Sequence, residues 1–336
     1  MQIRVALFGV GRWGKHFLRL LLQHPLVTLT AIADPHPQAL ADCQQQFNLD
    51  PQILLTTDWQ GLLASTALDA VIVTTPASSH YDVIMASLRV GCHVLAEKPL
   101  CLTVAECEQV IQLAQAQHRH LWVDHTYLFH PAIKQGKEII ESGQLGELRY
   151  GYSSRTHLGP VRQDVDALWD LAIHDLCIFS HWLGEFPQQV QAQGHYWLQE
   201  NLADLVWANL SYPRGFQSSL HLCWLNPDKQ RRLVIVGSQG SLIFDELAPN
   251  PLILQKGEFE HRDHAFIPVA QETIPIVVPS AEPLQQVCHQ FLAAVSQSLI
   301  PNLDQALLGL KLVEILTALS LSCQQLGKPM LISSGD

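Results

Sequence analysis

Apolar residues in the first third of the chain come in short runs separated by stretches of helical spacing. Runs at residues 4–8, 27–33, 70–75, 93–96 and 120–123 predict strands, with a weaker one near 53–56. Val71-Ile72-Val73 is wholly β-branched with no polar alternation, as expected of a strand buried on both faces, and Pro76 stops it. Between the runs, Phe17, Leu18, Leu20, Leu21 and Leu22 predict a helix behind Gly14. A second helix begins near His80 and ends at Gly91, and Thr103 is placed to cap a third that runs to about Gln117. Strands alternating with helices predict a parallel sheet covered on both faces.

The texture changes near Asp124. A helix over 131–141 ends at Ser142-Gly143, and alternating segments follow at 147–158, 190–199, 205–212, 216–225, 232–236 and 242–245. Period-two alternation predicts strands with one face buried, so this half should hold an open, mostly antiparallel sheet. One helix interrupts it at 168–183. Residues 258–268 are polar and irregular, which fits a loop or a hairpin. Leu308, Leu312, Ile315, Leu319, Cys323 and Leu326 form a stripe at three- and four-residue spacing near the C-terminus. Two domains are expected, 1–124 and 125–336, since 336 residues exceed what one core usually supports.

The first strand runs directly into Gly9-Val-Gly11-Arg12-Trp13-Gly14. The first glycine permits a tight strand-to-helix turn, the second lets backbone approach a pyrophosphate, and the third lets helix pack on strand. Free N–H groups at a helix start receive anionic phosphates. Asp34, twenty residues past the last glycine, would end the second strand and accept hydrogen bonds from ribose hydroxyls. The fold class is therefore an α/β N-terminal Rossmann domain plus an α/β C-terminal domain. The cofactor is NAD in preference to NADP, because Asp34 would repel a 2′-phosphate and Pro35-His36-Pro37 offers no arginine to welcome one.

Two further groupings carry chemistry. Glu97-Lys98-Pro99 follows the strand at 93–96, and ligands of open α/β sheets collect at strand carboxyl ends. There Lys98 could donate to a substrate hydroxyl and stabilise developing oxyanion charge. An isolated lysine at a strand end would otherwise be a surface residue. In Trp169-Asp170-Leu-Ala-Ile-His174-Asp175, Asp170 and His174 share one helix face while Asp175 points elsewhere. A carboxylate with an imidazole is a general acid–base pair. Equally, the two could be a helix-terminal acid and a core histidine.

Bulk properties narrow the partners. A net charge of −11 argues against nucleic acid without excluding an anionic substrate. The eight cysteines are scattered without a C-x-x-C pair, which favours reduced thiols and a cytoplasmic setting. The longest apolar stretch, 303–321, carries Asp304, Lys311 and Glu314, so no membrane span is expected. His118-Arg-His120 and His261-Arg-Asp-His264 have ligand-like spacing but lack further ligands nearby, so no metal is expected.

Together, the glycine fingerprint, Asp34, Thr74-Thr75-Pro76 with His80, Glu97-Lys98-Pro99 and the Asp-x-x-x-His helix resemble the Gfo/Idh/MocA family of oxidoreductases over essentially the whole chain. The resemblance implies a catalytic group of Lys98, Asp170 and His174, with His174 taking the hydroxyl proton as hydride leaves for nicotinamide. It implies a cis bond before Pro99. On the cofactor side it implies Gly9, Gly11, Arg12, Trp13 and Gly14, then Asp34, and then Thr75, Pro76, His80, Glu97 and Lys98. Many members carry Asp-x-Gly-x-His; here Ala172 stands at the glycine, a version similar to nucleotide-sugar dehydrogenases. The expected substrate is a sugar or nucleotide sugar, and a homodimer or homotetramer is implied. Tyr127, Arg155, His157, Arg162 and Trp169 are candidates on the substrate side, where aromatic faces stack on sugar rings and arginine forks hold phosphate or carboxylate. Each would serve as well in surface solvation or core packing. A dinucleotide-sensing regulator without catalysis and a reductase of a non-sugar substrate are the alternatives.

Overall fold

The computed structural model describes residues 2–297 and 300–332. The chain begins with β1 (Ile3–Phe8), α1 (Arg12–Gln23), β2 (Val27–Ala33), α2 (Pro37–Phe47), β3 (Leu54–Thr56), α3 (Trp59–Ser65), β4 (Ala70–Val73), α4 (His80–Arg89), β5 (His93–Ala96), α5 (Val104–Ala116) and β6 (Leu121–Val123). The six strands are all parallel, in the order β3-β2-β1-β4-β5-β6. The order reverses between β1 and β4, the point at which such sheets bind ligands. Val5, Ala6, Leu7, Val71, Val73 and Leu95 are completely buried, as two-sided coverage requires. Thr103 caps α5 as expected: its hydroxyl accepts from Glu106 N–H while the Glu106 carboxylate accepts from Thr103 N–H.

After Thr126 the chain continues with α6 (Pro131–Glu141), β7 (Leu148–Leu158), a π-helical turn (Leu168–Ala172), α7 (Ile173–Leu183), β8 (Gln189–His195), β9 (Leu205–Ser211), β10 (Gln217–Cys223), β11 (Leu225–Gly237), β12 (Gly240–Asp245), β13 (Leu252–Arg262), β14 (Ala265–Pro275), α8 (Pro283–Ser296), α9 (Asp304–Gln324) and β15 (Met330–Leu331). The second sheet has nine strands, β14-β13-β12-β11-β7-β10-β9-β8-β15, antiparallel throughout except for β7 with β10. Gly151, Ser153 and Arg155 point from β7 to the buried face, and Tyr150 and Tyr152 to the open one. A Cβ at Gly151 would sit 2.7 Å from the Phe179 ring, so glycine there lets α7 lie close on the sheet.

The chain does not divide at one point into 1–124 and 125–336. One compact unit comprises Met1–Thr126 with Glu282–Val313, and the other Tyr127–Ala281 with Glu314–Asp336. Residues 282–313 return to the first unit because α8 packs there. Arg19 pairs with Glu282, His24 Nε2 lies 3.3 Å from His289 Nδ1, and Phe291 meets the edge of Trp122 at 6.0 Å. By length and composition α9 could cross a bilayer, but its Leu312, Ile315, Leu316 and Leu319 are fully buried in the protein.

Two local expectations change, and at 258–268 the hairpin reading holds over the loop. The strand expected over 190–199 ends at His195, because the Asp204 carboxylate accepts from Trp197 and Leu198 N–H and folds the chain into a turn. The helix expected over 168–183 opens on a π-helical turn. The irregular stretch at 258–268 is the tip of a long hairpin. Asp263 and His264 both have positive φ, 47° and 65°, between the paired Arg262 and Ala265, which is a two-residue turn with the twist that hairpins favour.

Candidate active site

In the first unit, β1 delivers the chain into the glycine-rich turn. Gly9 has φ of 90°, and a Cβ there would press 2.8 Å from the Thr74 carbonyl. A Cβ on Gly14 would collide with the Gly9 carbonyl oxygen, so the third glycine is what lets α1 pack against the turn. Thr74 ties β4 to the same turn, its hydroxyl donating to Gly9 O at 2.7 Å. Gly11 caps α1 with no side-chain acceptor, no acid occupies the first turn, and a Cβ at Gly11 would meet only open space. The first N–H groups of α1 thus face an uncrowded surface free of competing carboxylate, which suits a pyrophosphate. Arg12 and Trp13 are exposed on that turn.

Asp34 follows β2. One carboxylate oxygen accepts from Val10 N–H and the other from His36 N–H, each at 2.9 Å, so its orientation toward the glycine turn is fixed. Across β4, Thr75 and Pro76 lead into a short 3-10 turn. His80 is buried at the start of α4, with Nδ1 2.7 Å from the Pro99 carbonyl and Nε2 2.9 Å from that of Thr75. It therefore clamps the Thr75–Pro76 turn to the Lys98–Pro99 segment, whose peptide bond is cis. Lys98 is 9% exposed and Glu97 7%.

These residues follow successive strands. Asp34, the glycines, Thr75–Pro76 and Lys98 stand after β2, β1, β4 and β5, which are neighbours in that order. Three inter-strand spacings separate the ends of the row, about 14 Å. An extended dinucleotide with its ribose at Asp34 and its phosphates at α1 fits this row.

In the second unit, the π-helical turn holds Asp170 and α7 begins with Ile173-His174. Asp170 and His174 are therefore not one regular α-helical turn apart; single π turns are frequent at functional sites. Asp166 sets up the turn by accepting from Trp169 N–H at 3.0 Å, and burial pushes its carboxyl up to about 6. Asp170 accepts from Arg162 Nη1 and from Trp224 Nε1, both at 3.3 Å. His174 packs on the edge of Tyr127, ring centroids 5.1 Å apart.

Tyr127 belongs to a network that runs from buried Arg155 and Asp175 out to exposed Glu246. Its hydroxyl donates to Glu246 Oε2 at 2.5 Å and accepts from Arg155 Nη1 at 2.7 Å. Burial pushes the phenol up to about 12, so it stays protonated. Arg155 is not an open fork for a substrate anion. Its Nε and Nη2 donate to Asp175 Oδ1 at 2.9 and 2.7 Å, while Ser153 donates to Asp175 Oδ2 at 2.9 Å. Burial alone would lower the arginine pKa, but Asp175 and Tyr127 outweigh it and raise it. Arg162 is likewise engaged, donating from Nε and Nη2 to Asp164 at 2.9 and 2.6 Å. The Trp169 indole N–H donates to Ser320, and His157 Nδ1 lies 3.4 Å from Arg231 Nη1.

Four residues near these groups escaped the sequence reading: Asp124, Trp224, Arg231 and Glu246. Asp124 had a usable signal, a carboxylate directly after a strand. The others are single side chains that strand pairing alone brings into place.

The chain matches two family models: an oxidoreductase family with an NAD-binding Rossmann fold over residues 3–125, and the GFO/IDH/MocA C-terminal domain over 133–243. It is 31% identical to UDP-N-acetylglucosamine 3-dehydrogenase of Acidithiobacillus ferrooxidans over 236 residues, 70% of this chain and 71% of that protein. The solved structure of UDP-N-acetylglucosamine 3-dehydrogenase from the same organism superposes with a TM-score of 0.80 at 22% identity, covering 97% of this chain and 99% of that one. An inositol dehydrogenase homologue of Azotobacter vinelandii, solved with NADH and myo-inositol, superposes with a TM-score of 0.79 at 21% identity, covering 98% of each chain. With both units matched and the glycine turn built to receive a dinucleotide, the chain belongs to the Gfo/Idh/MocA family of NAD-binding oxidoreductases.

Proposed function

We propose that this protein is an NAD-dependent dehydrogenase of a secondary hydroxyl on a sugar or nucleotide sugar, working through Lys98, Asp170 and His174. The observation that carries this reading is the row along the first sheet, in which Lys98 follows β5, three strands from Asp34 after β2; that order supports a dinucleotide lying with its nicotinamide toward Lys98. The relatives named for UDP-N-acetylglucosamine and inositol support a polyhydroxylated substrate. Bound NAD supplies the hydride acceptor. His174 takes the hydroxyl proton, Lys98 donates to the same oxygen and favours its developing negative charge, and Asp170 holds the hydroxyl in line. Tyr127, anchored by Arg155 and Glu246, keeps the His174 ring from turning. Asp34 accepts from the adenosine ribose and disfavours a 2′-phosphate, giving NAD over NADP.

The test is reduction of NAD and NADP by the full-length protein across free sugars, sugar acids, inositols and UDP-sugars. Turnover on one class, preferring NAD and falling at least tenfold in Lys98→Met and in His174→Ala while NADH still binds, is expected. Near-normal turnover in both variants would overturn the roles. NADH binding with silence across the panel would favour a sensor.

The open face of the second sheet exposes Tyr150, Tyr152 and Trp207, with His221 stacked on Trp207 at 4.0 Å between centroids. This supports pairing between copies, as a homodimer or homotetramer. Sedimentation should give a mass above 37.5 kDa that Trp207→Asp lowers; a wild-type monomer would refute it. The net charge of −11 supports a small-molecule partner and not nucleic acid. All eight cysteines are free thiols, which supports a reducing, cytoplasmic setting; a fraction found only outside the cytoplasm on cell fractionation would refute this.

A further inference from the structure

Glu97 and Asp124 directly follow neighbouring parallel strands. Ala96 of β5 pairs in register with Val123 of β6, and Asp124 N–H donates to Ala96 O at 2.8 Å. The two acids are thus one strand spacing apart, about 4.8 Å, at the carboxyl edge of the sheet. Both are buried, Asp124 at 2% exposure. Their side chains hydrogen-bond to each other. An ionised carboxylate offers only acceptors, so that bond needs a proton.

The surrounding groups fix the charge count. Lys98 acts as a positive charge on both acids, and its own N–H donates to Glu97 Oε2 at 3.2 Å. The Thr126 hydroxyl donates to Asp124 Oδ1 at 2.7 Å. Cys288 faces Asp124 from α8, and burial raises its thiol pKa, leaving it neutral. Burial lowers His125 to about 4, so it too is neutral at neutral pH. Two ionised carboxylates here would repel each other out of water, and two protonated ones would leave the ammonium uncompensated.

We infer that Glu97 and Asp124 share one proton and act together as a singly charged counter-ion for Lys98, which makes Asp124 a positioning residue for the Lys98 ammonium. The inference rests on the reading of Lys98 as the donor to the reacting oxygen. Held at the right charge by the pair, the ammonium keeps a fixed place; with the pair empty of protons or full of them, it does not. Burial raises both carboxyls above their ordinary range, and Asp124 raises Glu97 further, which keeps the proton in place at neutral pH.

Infrared spectroscopy of the full-length protein in D2O tests the proton directly, because a protonated carboxyl has a C=O stretch distinct from that of a carboxylate. At neutral pH, wild type minus Asp124→Asn and wild type minus Glu97→Gln should each show the loss of one protonated carboxyl. Identical protonated-carboxyl bands in wild type and both variants would overturn the shared proton. Turnover then tests the counter-ion. Asp124→Ala should lose about tenfold or more. Asp124→Asn should recover most of it, since the amide donates to Glu97 in place of the proton and leaves one negative charge. A folded Asp124→Asn as inactive as Asp124→Ala would overturn the counter-ion role. A Lys98→Met variant that keeps normal turnover would instead remove the functional reading, whatever the infrared band shows.

Discussion

Each unit buries a cluster of ionisable side chains, and the two clusters solve the same problem differently. In the second unit, Arg155 meets Asp175 with two N–H groups, Ser153 satisfies the other carboxylate oxygen, and Tyr127 links Arg155 to Glu246. Opposite charges are matched and hydrogen-bonded, so nothing there needs to titrate. In the first unit, Glu97 and Asp124 lie beside one lysine, and the surplus charge is removed by holding a proton. A buried charge can be met by a partner or neutralised. The first solution makes a rigid frame, suited to holding Tyr127 against His174. The second leaves a group whose charge can follow pH, set directly beside the Lys98 ammonium.

The largest effect that would separate the two belongs to Arg155. Arg155→Met leaves Asp175 buried with Ser153 alone and should cost about 3–5 kcal/mol, read as a lowered denaturant midpoint and as faster amide exchange in β7 and α7. Adding Asp175→Asn should restore part of that loss, because the uncompensated charge disappears. A loss below about 1 kcal/mol for the single variant would mean that the network is not the frame described. Asp124→Asn, by contrast, should leave overall stability nearly unchanged, since one charge and one hydrogen bond remain.

Both clusters were only partly legible in the sequence, for a physical reason. Period-two and period-3.6 patterns report which face of an element is buried, and β7 is legible on that signal, whereas β1 and β4 are legible as short unbroken apolar runs. β14 was missed because nearly all its residues are exposed, leaving no alternation to read. The glycine turn was legible because each glycine answers a local steric demand, seen again in the contacts a Cβ would make at Gly9 and Gly14. In the sequence Arg155 fits a substrate fork and a packed core residue equally well, and nothing local decides between them, because its partner Asp175 lies 20 positions away and meets it only through the packing of α7 on β7. Asp175 itself was correctly turned away from the Asp170 side. Residues 282–313 were assigned to the second domain since their return to β1 and α1 leaves no mark in local pattern.

The smallest expected effect is the pH dependence of stability in the first unit, and its sign follows from which state holds more protons. Unfolded, Glu97 and Asp124 release their protons near pH ~4. Folded, burial keeps at least one bound well above that, so the folded unit carries more protons and its stability must fall as pH rises through the raised range. Histidines oppose this at lower pH: burial holds His93 and His125 at about 4, so the unfolded chain binds their protons first between about 4 and 6.5, and stability rises with pH across that window. Between pH ~6.5 and ~8, below the ordinary thiol range, both histidines are neutral in either state and the carboxyl contribution stands alone. Amide exchange in β1, β4 and β5 should then accelerate with a loss of up to ~1.4 kcal/mol per pH unit for one proton, after correction for intrinsic exchange rates. In Asp124→Asn the slope should shrink, because Glu97 loses the like charge that raised it and ionises at lower pH. The β7–α7 region, whose charges are already matched, should stay flat over the same range. Equal slopes in both units would erase the distinction between a paired cluster and a proton-sharing one.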